Sequence, residues 1–345
     1  MRRILDRLAE RLPADSFSVV MATGIVSIAA HDDGHPVLSD VFGVIAAAIF
    51  VGLVVLVADR LRRRELMEDP RDLTEVFGLY TFVAGCGVLD ARLGHRPGGL
   101  VAGIGVVQLL TWLSLVPTVW GALRRTPVAR LRGQARGSWL LATVGTQSLA
   151  ITAVDVSSAG ATRPLLGAAI IWWVLGVAAY LATAALIVWR LLSAHVSPEE
   201  VTPDSWILMG ALAISTLAGG KLVLAAGRPG AFPWLGAVMP EATLAVWALG
   251  SAWIPLLAAG EWWRLRRMGR AAVRYTRARW AMVFPLGMYA SANYTVAKGI
   301  QGEEELAIVS HVFFWVALLA WCAAAYGLGR LGWRVAGLAS ARADQ

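Results

Sequence analysis

The sequence predicts an all-α polytopic membrane protein, with ten transmembrane helices arranged as five hairpins in a ring around a central pore, odd helices inside. Three observations lead there. Of 345 residues, 57% are hydrophobic and 16% charged, where a soluble domain carries about a quarter charged residues. The apolar residues fall in ten runs, each near the roughly 20 residues that cross a bilayer. Lys and Arg gather between alternate runs: with the N-terminus inside, about 25 of the 31 lie on the cytoplasmic side. Both termini are then cytoplasmic, in the cell (inner) membrane. This topology signal accounts for the net charge of +8, so the predicted partner is the lipid bilayer and not nucleic acid.

Residues 1–14 place Ile4, Leu5, Leu8 and Leu12 on one face of an amphipathic helix lying on the inner surface. Residues 15–330 form the membrane domain, and 331–345 a cytoplasmic tail. Ten spans use about 200 residues, which leaves loops and no soluble catalytic domain.

Helix 1 covers residues 16–30, with Asp15 or Ser16 as its cap. Helix 2, residues 41–58, has no polar side chain and faces lipid; a basic cluster from Arg60 to Arg64 stops it. Helix 3 starts at Asp72, which forms a capping box with Glu75, and ends near Asp90. Helix 4 spans 100–123 and is followed by five arginines. Helix 5, residues 138–156, carries Thr143, Thr146, Gln147, Ser148 and Thr152. Helix 6 (165–192) is rich in Trp; helices 7 and 8 cover 206–226 and 240–262. The most basic loop, Arg264 to Arg279, leads into helix 9 (280–297), and helix 10 covers 306–328. Cys86 and Cys322 both fall inside spans and read as small apolar packers.

Odd helices run outward and even helices return, so the chain is five hairpins in series, an organisation suited to a ring. Ser and Thr are about twice as frequent in the odd helices, and membrane hydroxyls face protein or water. That bias puts the odd helices inside.

Helix 9 holds the central feature. Pro285 removes a backbone hydrogen bond and, with Gly287, predicts a kink. Phe284, Met288, Ser291, Thr295 and Lys298 recur on one helical face, which reads as a pore wall with a hydrophobic constriction at Phe284. Because Phe284 lies about five residues, roughly 7 Å, past Arg279, a mid-membrane position requires the helix to begin before residue 280.

Two motifs resemble a known family. Phe17-x-x-Val20-Met21-Ala22-Thr23-Gly24-Ile25-Val26-Ser27 and Trp280-Ala281-Met282-Val283-Phe284-Pro285-Leu286-Gly287 are similar to the first- and ninth-helix signatures of the tellurite-resistance/dicarboxylate transporter family. That family includes bacterial TehA-type proteins, fungal malate carriers and sulfite exporters, and the slow-type anion channels of plant guard cells. The first motif departs from the usual Met-Gly-Thr-Gly by having Ala22. The resemblance implies a pore lined by the odd helices, a homotrimer with one pore per subunit, and Phe284 as the residue that occludes the pore.

Further pore-lining positions are Val20, Gly24 and Ser27 on one face of helix 1, with Thr23 as a second option. Helix 5 offers Thr143, Thr146 and Gln147 as neutral hydrogen-bond groups for an anion that must leave again. Thr216 and Gly220 complete the set from helix 7. Lys221 is ionisable within a span and so stands out; it reads as an ion pair, with Glu241 first among Asp90, Asp155 and Glu241 as partner, or as an anion attractor with Lys298. The His31-Asp32-Asp33-Gly34-His35 loop has metal-ligand residue types but lacks a second cluster; neither metal nor cofactor is predicted. No hydrolase, zincin or phosphate-loop motif is present, which argues against an enzyme. The predicted function is an anion channel or facilitator for small inorganic or organic anions. The alternative is a proton-coupled C4-dicarboxylate (malate) carrier or a sulfite-type oxyanion exporter.

Overall fold

The computed structural model describes residues 13–62, 72–93, 99–159, 162–193, 197–198 and 200–343. Regular structure among them is entirely helical. In chain order the helices are α1 (Ser18–Asp32), α2 (Pro36–Arg62), α3 (Leu73–Gly78), α4 (Tyr80–Leu93), α5 (Gly99–Arg125), α6 (Val128–Gln134), α7 (Leu141–Val156), α8 (Thr162–Ser193), α9 (Ile207–Ala225), α10 (Leu235–Met268), α11 (Trp280–Gly299) and α12 (Leu306–Ala343). Single 3-10 turns at Gly137–Leu140, Pro203–Trp206 and Arg277–Arg279 lead into α7, α9 and α11.

Eight helical segments among the described residues are long and apolar enough to cross a membrane: α2, the α3–α4 pair, α5, α7, α8, α9, α10 and α12. The apolar α1, 15 residues long, is shorter; it rises only about 22 Å. Helix α11, carrying Ser291, Asn293, Thr295 and Lys298, is less apolar than those eight.

Burial separates two classes. The apolar windows of α3–α4, α7 and α9 are 72–83% buried, against 11–28% for α2, α5, α8, α10 and α12. Helices α1 and α11 are also buried along most of their length. The outer helices leave Val44, Ile171 and Leu319 exposed; for lipid-facing surface this is the favourable solvent. Among the buried helices, α1 packs on α4 and α11, α7 on α4 and α9, and α9 on α11. Each outer helix packs on the buried helix that precedes it in the chain.

Several boundaries differ from the sequence reading. Phe17 occupies the N-cap of α1 without a side-chain bond, and Ser16 Oγ instead donates to the Pro13 carbonyl at 2.6 Å. Asp72 does cap α3, but it accepts from the Thr74 amide at 2.8 Å, one residue short of the predicted box. A short helix, α6, interrupts the basic segment before α7. Helix α12 continues past Leu328 to Ala343, into the segment read as a tail. Cys86 is buried, but Cys322 is exposed on α12, so only the first packs inside. The amphipathic helix of residues 1–14 lies, but for its last two residues, outside the described residues.

Glycine sets how closely the buried helices approach. A Cβ on Gly210 of α9 would meet the Pro285 ring at 2.7 Å and its Cα at 3.0 Å. A Cβ on Gly287 of α11 would meet Ile25 of α1 at 2.9 Å. Pro285 and Gly287, expected to kink the helix, therefore act as packing elements within a helix that continues through both. Gly210→Ala should cost about 1–3 kcal/mol, as overpacking does, and lower the melting temperature in detergent. Gly52→Ala, which meets nothing within 4 Å, should leave it unchanged.

Candidate functional site

The N-terminal ends of α1, α3, α7, α9 and α11 surround a cavity of about 370 Å³. Ser18 and Met21 of α1, Thr81 of α4, Leu141 of α7, Ile207 of α9 and Phe284 of α11 line its deep wall. At the opposite ends of the same helices lies a second cavity of about 300 Å³, lined by Ile28 and Asp32, Arg92, Asp155, Leu217 and Lys221, and Thr295 and Lys298. The two cavities share no lining residue. Between them the bundle is filled.

The lining positions define the inward face of each helix. On α1 they are 18 and 21 at one end and 28, 31 and 32 at the other. Helical spacing puts Ile25 between them, where it packs into the space left by Gly287. On α11 the series runs from Phe284 to Thr295 and Lys298, with Met288 and Ser291 buried in between. This is the stripe read from the sequence. Ser291 Oγ has no hydrogen-bond partner among the described residues. By the same spacing α9 contributes Ile214 and α7 Val144 and Ile151, all buried. Ser291 is a buried hydroxyl in this stretch of α11.

Phe284 is 3% exposed and stands at the inner cavity's wall. Helix α11 starts at Trp280, and the 3-10 turn Arg277–Arg279 extends it by one turn toward the N-terminus. The cavity itself reaches in to Phe284.

None of the other helix-1 and helix-5 positions proposed from the sequence lines either cavity. Val20 packs with Phe17, Ala46 and Leu89 between α1, α2 and α4. Thr23 accepts a hydrogen bond from the Trp321 indole of α12 at 3.1 Å. Gly24 gives room to Val88 and Ala46. Ser27 donates to the Ser39 carbonyl of α2 at 2.6 Å and accepts from Arg92 Nε at 3.0 Å. On α7, Thr146 accepts from the Trp112 indole of α5 at 2.9 Å, and Gln147 donates to the Trp173 carbonyl of α8 at 3.0 Å. Thr143 is buried without a partner among the described residues. Thr216 bonds back to the Leu212 carbonyl at 2.9 Å, and Gly220 lets Thr295 approach α9. The cavities thus take Ser18, Met21, Ile28 and Asp32 from a neighbouring face of α1, and His31, four residues beyond Ser27, from the face read from the sequence.

Lys221 does pair, but with Asp155 of α7 and not with Glu241: its Nζ donates to the two carboxylate oxygens at 2.6 and 2.8 Å. Lys298 sits 4.3 Å from the Tyr294 ring centre, a cation–π contact. Arg228 donates to the Val154 carbonyl and Ser157 Oγ at 3.0 and 2.9 Å, closing the end of α7. Arg92, Lys221, Arg228 and Lys298 therefore face Asp32 and Asp155 across the outer cavity, a surplus of positive charge. The inner cavity has the reverse balance, Asp15, Asp72, Glu75 and Asp204 against Arg136 and Arg277. There, however, five helix N-termini converge, and their partial positive charge opposes the carboxylates.

The acidic loop after α1 turns at Gly34, whose φ of 81° suits glycine. Asp33 binds His311 of α12 at 2.8 Å and His35 at 3.3 Å. Among the described residues no group of three or more ligand-type side chains is placed to hold a metal. Two features escaped the sequence reading. Trp112, Trp173, Trp247 and Trp321 each donate an indole bond from an outer helix to a buried one; only their recurrence on even helices could have signalled it. Asp90, fully buried on α4, has neither oxygen hydrogen-bonded among the described residues.

The family described as voltage-dependent anion channel matches residues 11–328. An uncharacterized membrane protein of Mycobacterium tuberculosis is 37% identical over 145 residues, 41% of this chain and 71% of the relative. An uncharacterized transporter of Methanocaldococcus jannaschii is 21% identical over 334 residues, 88% of this chain and 89% of its own. A second uncharacterized transporter of that organism is 23% identical over 151 residues, 43% of this chain and 41% of its own.

Removing one member of a paired charge away from bulk water strands the other. Lys221→Gln should therefore lower the melting temperature more than the double variant Lys221→Gln/Asp155→Asn, measured in the same detergent.

Proposed function

The chain belongs to the voltage-dependent anion channel family, and on that premise we propose that it is a membrane anion channel or facilitator for small anions. Ten helices cross the bilayer as five hairpins, the buried helix of each hairpin inside and the outer helix against lipid. The inner ends face the cytoplasm, in keeping with the basic segments there, as do both termini. The path follows the inward faces of the buried helices, and the homotrimer implied by the family resemblance belongs to the same proposal.

One observation carries this reading: all five buried helices contribute to a cavity at each end, and Phe284 stands where the inner one stops. A narrow apolar section excludes water and ions by dewetting or by direct block. Anions are concentrated at the cationic outer cavity and held off by the apolar middle. Phe284→Ala shortens that middle. It should raise anion conductance in planar bilayers roughly tenfold or more, the factor given by about 1.4 kcal/mol off the barrier. An unchanged conductance contradicts the gate.

Asp90 favours a second reading, a proton-coupled carrier of C4-dicarboxylates or an exporter of sulfite-type oxyanions. Its buried carboxyl has the Thr152 hydroxyl beside it and lies within electrostatic reach of Asp155 and Lys221, so a proton gained there alters the field at the Lys221–Asp155 pair. Coupling requires such a group beside the path. In proteoliposomes a carrier shows malate uptake that follows an imposed proton gradient, and Asp90→Asn abolishes that dependence. A channel shows wild-type flux indifferent to the gradient.

A further inference from the structure

The most basic stretch of the chain, between α10 and α11, reaches the inner cavity only through Arg277 and Ala278. It nevertheless builds a cavity of its own. Arg274 and Tyr275 from this loop, Arg279 at the N-cap of α11, and Tyr326 and Arg330 from α12 line about 490 Å³. Three guanidinium groups and two phenol rings converge with no carboxylate among the described lining residues. Arg274 and Arg330 are exposed, so the set presents an unbalanced positive charge to whatever enters the pocket.

The cations are not fully spent within the protein. Arg279 donates to the Arg274 and Ala272 carbonyls at 3.3 and 3.0 Å, which holds the loop in shape. Arg330 lies 5.8 Å from the Tyr326 ring centre. No salt bridge is present at Arg274, Arg279 or Arg330 among the described residues. The remaining wall is apolar, Val273, Ala323 and Leu331. It continues onto the exposed outer face of α12, where Leu319 is 70% and Tyr326 68% exposed. Charged head at one end and open apolar face at the other is the outline of a phospholipid.

We infer that this pocket binds the phosphate headgroup of an anionic phospholipid of the cytoplasmic leaflet, with the acyl chains along α12. Arginine suits phosphate because its planar fork donates two parallel hydrogen bonds. A free phosphate ion has the same head chemistry but makes no use of the apolar wall. The depth of the pocket at the headgroup level rests on the membrane orientation proposed above. Binding itself is independent of conduction, so a failure to conduct leaves this inference untouched. The loop that forms the pocket runs directly into Trp280 and Phe284.

The test uses detergent-purified full-length protein and its melting temperature with added phosphatidylglycerol, phosphatidylcholine or inorganic phosphate. Phosphatidylglycerol should raise the melting temperature of the wild type and of the charge-matched control Arg124→Gln/Arg130→Gln, and phosphatidylcholine should not. The rise should be lost in Arg274→Gln/Arg330→Gln. Should that variant fail to fold, Arg330→Gln alone, at an exposed position, serves with an expected reduced rise. An equal rise in the pocket variant, or an equal loss in the control, overturns the site. A rise with inorganic phosphate as large as that with phosphatidylglycerol overturns the lipid assignment.

Discussion

A polar side chain on a membrane helix has no water to turn to, so its partner comes from its own backbone or from a neighbouring helix. That requirement organises this protein. Trp112 to Thr146, Trp173 to the Ser215 carbonyl, Trp247 to Asn293 and Trp321 to Thr23 each tie an outer helix to a buried one at 2.8–3.1 Å. Ser27 does the same for α2 through the Ser39 carbonyl. Gln108 of α5 joins three groups at once, donating to Ser148 and the Val83 carbonyl and accepting from Thr152. Tryptophan serves well here because its ring packs in apolar surroundings while its single N–H finds an acceptor.

These bonds commit Thr23, Ser27, Thr146, Ser148 and Asn293 of the buried helices to outer-helix neighbours. The consequence is a bundle whose centre is closed by Ile25, Ile214, Met288 and Phe284 and whose ends are polar. Glycines at 210, 220 and 287 bring the buried helices close enough for this apolar section to fill completely. Within the outer cavity Lys221 and Asp155 hold each other.

Much of this was legible in the residues. Long apolar runs and alternating basic segments foretold the helices, and the hydroxyl bias correctly separated buried from outer ones. The stripe from Phe284 to Lys298 emerged because α11 carries polar groups at spacings of three and four residues. The inward face of α1 did not, for a physical reason. Val20, Gly24 and Ser27 look like a path because they are small or polar. Ser27 is polar in order to bond α2, and Gly24 is small in order to admit Val88. Met21 and Ile28, which line the two cavities, resemble any lipid-facing residue. Pairing across helices, such as Lys221 with Asp155 instead of Glu241, depends on rotation about each axis, which hydropathy does not encode.

The central claim is that the inward face of α1 leads from one cavity to the other and is interrupted beside Phe284. Its most direct measurement is thiol labelling with a membrane-impermeant reagent applied from either side of oriented vesicles. The background replaces Cys86 and Cys322 with serine, and single cysteines are placed at Met21, Ile28 and Val20. The account predicts labelling of position 21 from the cytoplasmic side only, position 28 from the opposite side only, and position 20 from neither. Labelling of position 20 in preference to 21, or of 21 and 28 from the same side, contradicts it.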